Sequence, residues 1–212
     1  WNVSNVINME RMFEGKFEGK FGIDEDYWTN NPFDGNLSSW KISIDKTATD
    51  GMFDSCDIQP QHLPTLLPVV ANDDNIKNLV QRAVFVLGNE ANLNFIDVSN
   101  VTNMEGLFEN SYFDGDISNW DVSNVTNMER MFAGSHFNGD ISKWNVSIVT
   151  NMRGMFEGTI NPFDGDLSSW KISIDKVDTW GIFRLCDIPD QHKPTLIRVV
   201  ANNDNVNDIV RK

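Results

Sequence analysis

Two cysteine–histidine pairs have the clearest capacity for chemistry in this 212-residue chain. Cys56 lies six residues before His62, and Cys186 lies six before His192. A thiolate beside an imidazole is a nucleophile with its general base, but the site also needs a group that orients the base and donors for an oxyanion. The sequence shows neither. Both pairs belong to one duplicated segment, which explains their common spacing. We therefore predict no catalytic residues and no enzyme activity, and interpret the cysteines as small buried residues at corners.

Acidic residues recur at turns and are candidates for binding Ca²⁺. They are Asp114, Asp116, Asp140, Asp164 and Asp166. Stacked carboxylates about 5 Å apart favour Ca²⁺ when they converge. The alternative is that aspartate serves turn geometry and local hydrogen bonds. The sequence lacks the glycine- and aspartate-rich nonapeptide of calcium-binding β-helices, which favours the alternative. We predict no metal site and no cofactor.

One segment combines acidic and aromatic residues outside the regular pattern. It contains Asp24, Glu25, Asp26, Tyr27 and Trp28. Residues before this segment match residues 143 positions later in the chain, and residues after it match residues 130 positions later. The difference indicates an insertion of 13 residues within 14–30. Exposed aromatic residues often anchor a partner, although these two could instead fold back over the edge of the repeats. We predict a candidate binding loop at these five residues.

Short repeats must position all of these residues. Met104, Met128 and Met152 are 24 residues apart, and the phrase at 120–128 recurs at 144–152. A unit of this length cannot bury its apolar side alone, so neighbouring units must stack. Alternating apolar residues predict a short strand, and a later spacing of three predicts a helical or 3₁₀ turn, with Thr126 and Glu129 as a capping box. We expect the shared core to include Trp40, Trp120, Trp144, Trp170, Met128 and Met152.

A longer duplication divides the chain into two arrays. Residues 31–46 match residues 161–176 at 15 of 16 positions. Between the arrays, apolar residues at helical spacing predict a helix over 75–87 that ends at Gly88. The predicted order is a first array over 1–74, a capping helix and linker over 75–90, a second array of about four coils over 91–204, and the start of a further capping helix over 205–212. The first repeat begins at its tryptophan, so we interpret the chain as a segment of something longer.

Composition narrows the classes of partner. The formal net charge is −14 and the pI is near 4.4, so the average field repels nucleic acid. The sequence contains no apolar run of the roughly 18 residues that cross a bilayer, and no leader peptide. We predict no nucleic-acid partner and no membrane span in this segment.

The repeat phrases resemble a known family. Trp120-Asp-Val-Ser-Asn-Val-Thr-Asn-Met128-x-x-Met131-Phe132 and Phe137-Asn-Gly-Asp-Ile-Ser-Lys-Trp144 are similar to the BspA-like leucine-rich repeat, a unit of about 25 residues common in bacterial surface proteins. The resemblance covers about four-fifths of the chain. It implies a leucine-rich-repeat solenoid with a role in adhesion or other protein recognition. This chain departs from the pattern in having two short arrays separated by a helix, so one continuous concave surface does not follow.

The expected fold class is therefore a repeat solenoid, with a short β-strand and a helical or 3₁₀ turn in each coil. The expected function is non-enzymatic recognition of a protein or glycan at an extracellular or cell surface. The alternative is a structural assembly component, such as a virion or filament decoration, whose duplicated modules bridge neighbouring subunits by self-association. The sequence leaves the ligand, the source compartment and the oligomeric state open.

Overall fold

A computed structural model of the chain describes residues 3, 6–13, 35–47, 49, 52, 58–158 and 163–198, and the backbone of 16–17 and 28–29. The chain divides into two compact units. Unit 1 comprises Trp1–Val101 and Tyr112–Asp121, and unit 2 comprises Thr102–Ser111 and Val122–Lys212. The helix start predicted over 205–212 lies outside the described residues.

Unit 1 contains paired strands of two to five residues. An antiparallel pair within the insertion joins β1 (Lys16–Phe17) to β2 (Trp28–Thr29). The other two pairs are parallel: β3 (Lys41–Ile42) with β4 (Thr65–Leu66), and β5 (Val69–Asn72) with β6 (Ile96–Asn100). A 3₁₀ turn at Pro60–His62 precedes β4.

A single α-helix is present in the described part of the chain, α1 at Ile76–Leu87. It lies within the segment for which the sequence predicts a helix. Its buried apolar face consists of Ile76, Leu79, Val80, Ala83 and Val86. Residues three or four positions apart lie on the same face of a helix, so this set matches helical spacing. Gly88, with φ of 87°, ends it and donates its N–H to the carbonyl of Val84 at 2.7 Å.

Unit 2 contains one parallel strand pair, β7 (Lys171–Ser173) with β8 (Thr195–Ile197), and a 3₁₀ turn at Asp190–His192. Its other repeats are joined by single-residue parallel bridges. These connect Asn103 to Asn127, Asn127 to Asn151, and Asn151 to Asp178. Each bridge joins residues one repeat apart, so these asparagines pair successive repeats in parallel.

Asparagine side chains support this ladder in two directions. Asn127 Oδ1 accepts the N–H of Glu129 at 3.0 Å, which closes a local turn. Asn127 Nδ2 donates to a carboxylate oxygen of Glu105, in the preceding repeat, at 3.1 Å. Asn151 repeats the arrangement with Glu129 at 2.9 Å. The Asn of the repeat phrase therefore binds both its own turn and the adjacent repeat.

The predicted core residues are located as follows. Trp120, Trp144, Trp170, Met128 and Met152 are buried, whereas Trp40 is partly exposed. In unit 2 the buried side also contains a stack of phenylalanine rings with centroids 5.5–5.6 Å apart, formed by Phe108, Phe132, Phe156 and Phe183. Aromatic stacking at this spacing adds to the burial of the rings themselves.

The local structure at Trp120 and Trp144 differs from the predicted strand, whereas strands follow Trp40 and Trp170 directly. Trp120 N donates to Ile117 O at 3.1 Å, and Trp144 N donates to Ile141 O at 3.1 Å. These i to i+3 bonds fold the segments into turns, and a chain in turns cannot remain extended. The capping prediction also differs in detail. The hydroxyl of Thr126 donates to Thr102 O at 3.3 Å, and Asn127 takes the capping role predicted for the threonine.

The duplication is visible at the level of single hydrogen bonds. In the first copy, Thr65 N donates to Trp40 O at 2.9 Å, and in the second copy Thr195 N donates to Trp170 O at 2.9 Å. The two copies therefore form the same strand pair from nearly the same sequence.

Candidate functional site

Most of the predicted binding loop, Asp24, Glu25, Asp26 and Tyr27, lies outside the described residues. Trp28 is described through its backbone alone, where it pairs with Phe17 between β1 and β2. The structure thus places a short antiparallel ribbon within the insertion.

Cys186 and His192 bind separate backbone carbonyls. Cys186 is half-buried, and its thiol donates to Phe163 O at 3.6 Å. Burial raises the pKa of the thiol above its ordinary value, which favours the protonated form. His192 Nδ1 lies 2.5 Å from Asp164 O. Both groups therefore have structural contacts at this corner. Cys56 lies outside the described residues.

The turn aspartates act as local hydrogen-bond acceptors. Asp116 Oδ1 accepts the N–H of Ser118 at 2.9 Å, and Asp166 Oδ1 accepts that of Ser168 at 2.9 Å. The backbone N–H and hydroxyl of Ser118 lower the pKa of Asp116, and the same groups of Ser168, hydroxyl foremost, lower that of Asp166. Within the described ranges, histidine, cysteine and acidic side chains form no group of three that could hold a metal ion.

A charged network joins residues from four successive repeats of unit 2. Arg130 binds a carboxylate oxygen of Glu109 at 2.7 Å and one of Glu157 at 3.4 Å. Arg184 also binds Glu157. Ala133 is the counterpart of Glu109 and Glu157 in the intervening repeat. The Glu157 side chain is 11% exposed, so it is the most enclosed member of the network.

An exposed aromatic ring lies beside this network. Trp180 is 57% exposed. The guanidinium carbon of Arg153 lies 4.5 Å from its ring centroid, and that of Arg184 lies 5.7 Å away. Cation–π contacts of this kind contribute about 0.5–1 kcal/mol at exposed positions. We call Arg153, Trp180, Arg184, Glu157 and Arg130 the arginine–tryptophan surface.

Arg153 differs from the other two arginines of this surface. No carboxylate lies within ion-pair distance of it in the described part of the chain. Its guanidinium lies over the face of the Trp180 indole and keeps its N–H donors at the edge available for an anionic group. A rigid aromatic face beside an available cation suits a carboxylated glycan or an acidic peptide.

The sequence contains a signal for this surface that the prediction of core residues did not use. Trp180 is not in the column of buried tryptophans. Its counterparts in preceding repeats are Arg153, Glu129 and Glu105, each following a core position. The residue at this position changes from acidic to basic to aromatic between repeats, which indicates that its side chain is not needed for core packing. Comparing that column across repeats identifies Trp180 as an outward residue.

Unit 2 also has an apolar groove of about 430 Å³ between the corner at 146–150 and the β7–β8 pair. Its lining includes Val146, Ile148, Val149, Val177 and Ile197, with Lys171 and Lys176. The lysines add positive charge to a groove whose other surfaces are mainly apolar. It has room for a few apolar side chains of a partner.

Comparison with known proteins identifies the family. The chain matches the family described as "Mycoplasma protein of unknown function, DUF285" over residues 1–65 and 74–184. Because the match covers most of the chain, the protein belongs to that family. No curated protein matches it. No solved structure matches it either. In the described part of the chain, no helix has the length and apolar character needed to span a membrane.

Proposed function

We propose that this chain is a non-enzymatic repeat protein that recognises a protein or glycan at a cell or particle surface. We further propose that its repeats form a BspA-like leucine-rich-repeat solenoid. The stacking of repeats in unit 2 through parallel bridges supports the solenoid, because each repeat pairs with the next in the same register. The family match is consistent with the repeat phrase that carries the resemblance.

The observation that carries the recognition role is the exposure of Trp180 between two arginines. A large aromatic side chain that is fixed in place loses little conformational freedom on binding, so it favours recognition. The partner best suited to this surface carries a carboxylate that pairs with Arg153 and an apolar face that covers the indole. Both acidic glycans and acidic peptides meet this description.

The experiment compares retention of carboxylated glycans and acidic peptides by the wild type, Trp180→Ala and Arg153→Ala. Tyr112→Ala is the matched control, because Tyr112 is an exposed aromatic residue outside the arginine–tryptophan surface. We expect each surface variant to lose roughly tenfold or more in affinity, as removal of an anchor residue does. Equal binding by the wild type and both surface variants would contradict the proposed site.

A second arm tests the insertion separately. Tyr27→Ala/Trp28→Ala should reduce partner recovery if the candidate binding loop contributes. Unchanged recovery would remove the loop from the binding surface. Sedimentation of the same proteins distinguishes the assembly alternative, which predicts association that increases with protein concentration.

A further inference from the structure

The apolar groove of unit 2 lies where the two copies of the duplication differ by one hydrogen bond. In the first copy, the hydroxyl of Thr47 donates to Val6 O at 2.8 Å, and Thr47 is 4% exposed. Val177 and Val149 are the counterparts of Thr47 and Val6, and both line the groove. A valine side chain has no donor. The second copy therefore lacks the contact that ties these two segments together in the first.

A serine in the groove has a hydroxyl without a partner. In the first copy, Ser43 Oγ donates to a carboxylate oxygen of Asp45. Its counterpart Ser173 lines the groove, and Ser173 Oγ is buried with no hydrogen-bond partner among the described residues. A buried hydroxyl in this state is destabilising. A ligand that accepts a hydrogen bond from it removes that cost.

Two lysines bring positive charge to the same groove. Lys171 and Lys176 are exposed and line it. Within the part of the chain that the structure describes, neither forms an ion pair. Lys176 N donates to Ser173 O at 3.0 Å, and this bond closes a turn that keeps the two residues close. Two unpaired ammonium groups and a hydroxyl donor suit a carboxylate.

The remaining lining is apolar and large enough for one small molecule. Val149, Met152 and Ile172 are buried along it, and Ile148 and Ile197 are 46% and 42% exposed. The volume of about 430 Å³ lies within the range of about 300–1,000 Å³ that is typical of small-molecule sites. An apolar group that covers the two exposed isoleucines removes them from water, which favours binding.

The backbone around the groove favours an alkyl chain over a peptide. Ser173 O accepts the N–H groups of Lys176 and Val177. Ile197 O accepts the N–H of Ile174. These carbonyls are therefore already bound within the chain. A peptide in the groove needs partners for its own N–H and C=O groups, and burying them unpaired is costly. An alkyl chain has no such groups, so it is the better occupant.

We propose that the apolar groove binds a single-chain fatty acid. The alkyl chain lies along the apolar lining, and the carboxylate pairs with the ammonium groups of Lys171 and Lys176. Ser173 Oγ donates its hydrogen to one carboxylate oxygen. The occupant is one free molecule instead of a membrane surface, because a groove of this volume encloses a small molecule. This inference concerns residues outside the arginine–tryptophan surface and is independent of it.

The first test closes the groove. Laurate below its micelle concentration is the probe, and isothermal titration calorimetry measures its affinity. Val177→Thr supplies the hydroxyl that ties the first copy together through Thr47. We expect this variant to lose roughly tenfold or more in laurate affinity. Valine and threonine have nearly the same shape, so the loss reports the added hydroxyl.

The second test removes the positive charge. We expect Lys171→Ala/Lys176→Ala to bind laurate roughly tenfold more weakly, because the carboxylate loses both ammonium groups. Dodecanol has the same chain length without the charge, so its affinity should change much less. Lys77→Ala/Lys143→Ala is the matched control, because both lysines are exposed and lie outside the groove. All four positions are exposed, and urea denaturation checks that both variants stay folded.

The third test distinguishes a ligand-binding role of Ser173 from a structural one. Ser173→Ala should raise the urea midpoint of the free protein, because it removes an unpaired buried hydroxyl, and should weaken laurate binding severalfold. Equal laurate affinity in the wild type, Val177→Thr and Lys171→Ala/Lys176→Ala would overturn the proposal. So would cosedimentation with anionic phospholipid vesicles without binding of laurate, because a membrane surface would then be the partner.

Discussion

The indole Nε1 of Trp120 donates a hydrogen bond to the carbonyl oxygen of Leu93, 3.0 Å away and 27 residues earlier in the chain. Trp170 Nε1 makes the same kind of bond to Ile141 O at 3.3 Å. The repeated tryptophan thus contributes a directed polar contact to the previous repeat as well as apolar area. This contact explains why the position favours tryptophan over other large apolar residues.

Replacement of Trp120 by phenylalanine tests this directed contact. Leu93 O also accepts the N–H of Ile96 at 3.0 Å, so the substitution does not leave the carbonyl unpaired. We expect Trp120→Phe to lower the free energy of unfolding by about 1–2 kcal/mol through the lost bond and the smaller ring. Trp120→Ala should cost about 3–5 kcal/mol. Urea denaturation measures both, and Trp180→Phe, at an exposed tryptophan, should change stability by less than about 0.5 kcal/mol.

Arg130 adopts a backbone conformation that suits glycine. Its φ is 53°, and its counterparts in the neighbouring repeats, Gly106 and Gly154, have φ of 59° and 57°. Arg130→Gly relieves this strain while it removes the ion pairs to Glu109 and Glu157. Arg130→Ala removes the same pairs and keeps the strain. We expect the glycine variant to be the more stable of the two by about 1 kcal/mol in urea denaturation.

The dependence of stability on salt distinguishes the contribution of the ion pairs at Arg130 from that of its backbone strain. The side chain is 43% exposed, so its ion pairs are screened and contribute at most about 1 kcal/mol. Raising the salt concentration should therefore lower the stability of the wild type relative to both variants by the same amount. The gap between the glycine and alanine variants should stay constant, because backbone strain is insensitive to salt. A salt-dependent gap between those two would contradict the strain argument.

Leu185 is a second non-glycine residue in this conformation. Its φ is 61°, its counterpart Gly134 has φ of 63°, and its side chain is exposed. We expect Leu185→Gly to raise the midpoint of thermal unfolding, with a gain of about 1 kcal/mol, because little packing is lost and the strain is removed. Ile148→Gly, at an exposed position without a positive φ, should lower the midpoint instead. A loss of stability in Leu185→Gly would show that its side chain packs more than its exposure indicates.

The turn aspartates predict a dependence of stability on pH. The serine hydrogen bonds lower the pKa of Asp116 and Asp166 from an ordinary value of 3.8 in the folded state. A lowered folded-state pKa contributes stability that is present above pH 3.8 and is lost as the pH falls through the folded value. We expect the urea concentration at the midpoint of unfolding to decrease once the pH is lowered below about 4. Asp116→Asn keeps an acceptor for Ser118 N–H without titrating, so its midpoint should decline less steeply than that of the wild type.

Apolar spacing in the sequence reports the burial of individual residues directly. Met128, Met152 and Trp144 are buried at the positions that the 24-residue interval indicates. A strand follows Trp40 and Trp170 directly, as β3 and β7, whereas i to i+3 bonds that apolar alternation does not reveal fold residues 117–120 and 141–144 into turns. The arginine–tryptophan surface was missed for a different reason. Its contacts join residues from three repeats, and a motif within one repeat cannot report them.

The bridges among Asn103, Asn127 and Asn151 have an evolutionary consequence. Each asparagine presents the same donors and acceptors to its counterpart in the preceding repeat and to its counterpart in the following repeat. Excision of 127–150 would join Thr126 to Asn151 and bring one equivalent amide into the place of another. Unequal recombination can therefore shorten or lengthen the array while every junction stays chemically matched, so the number of modules is free to drift between relatives.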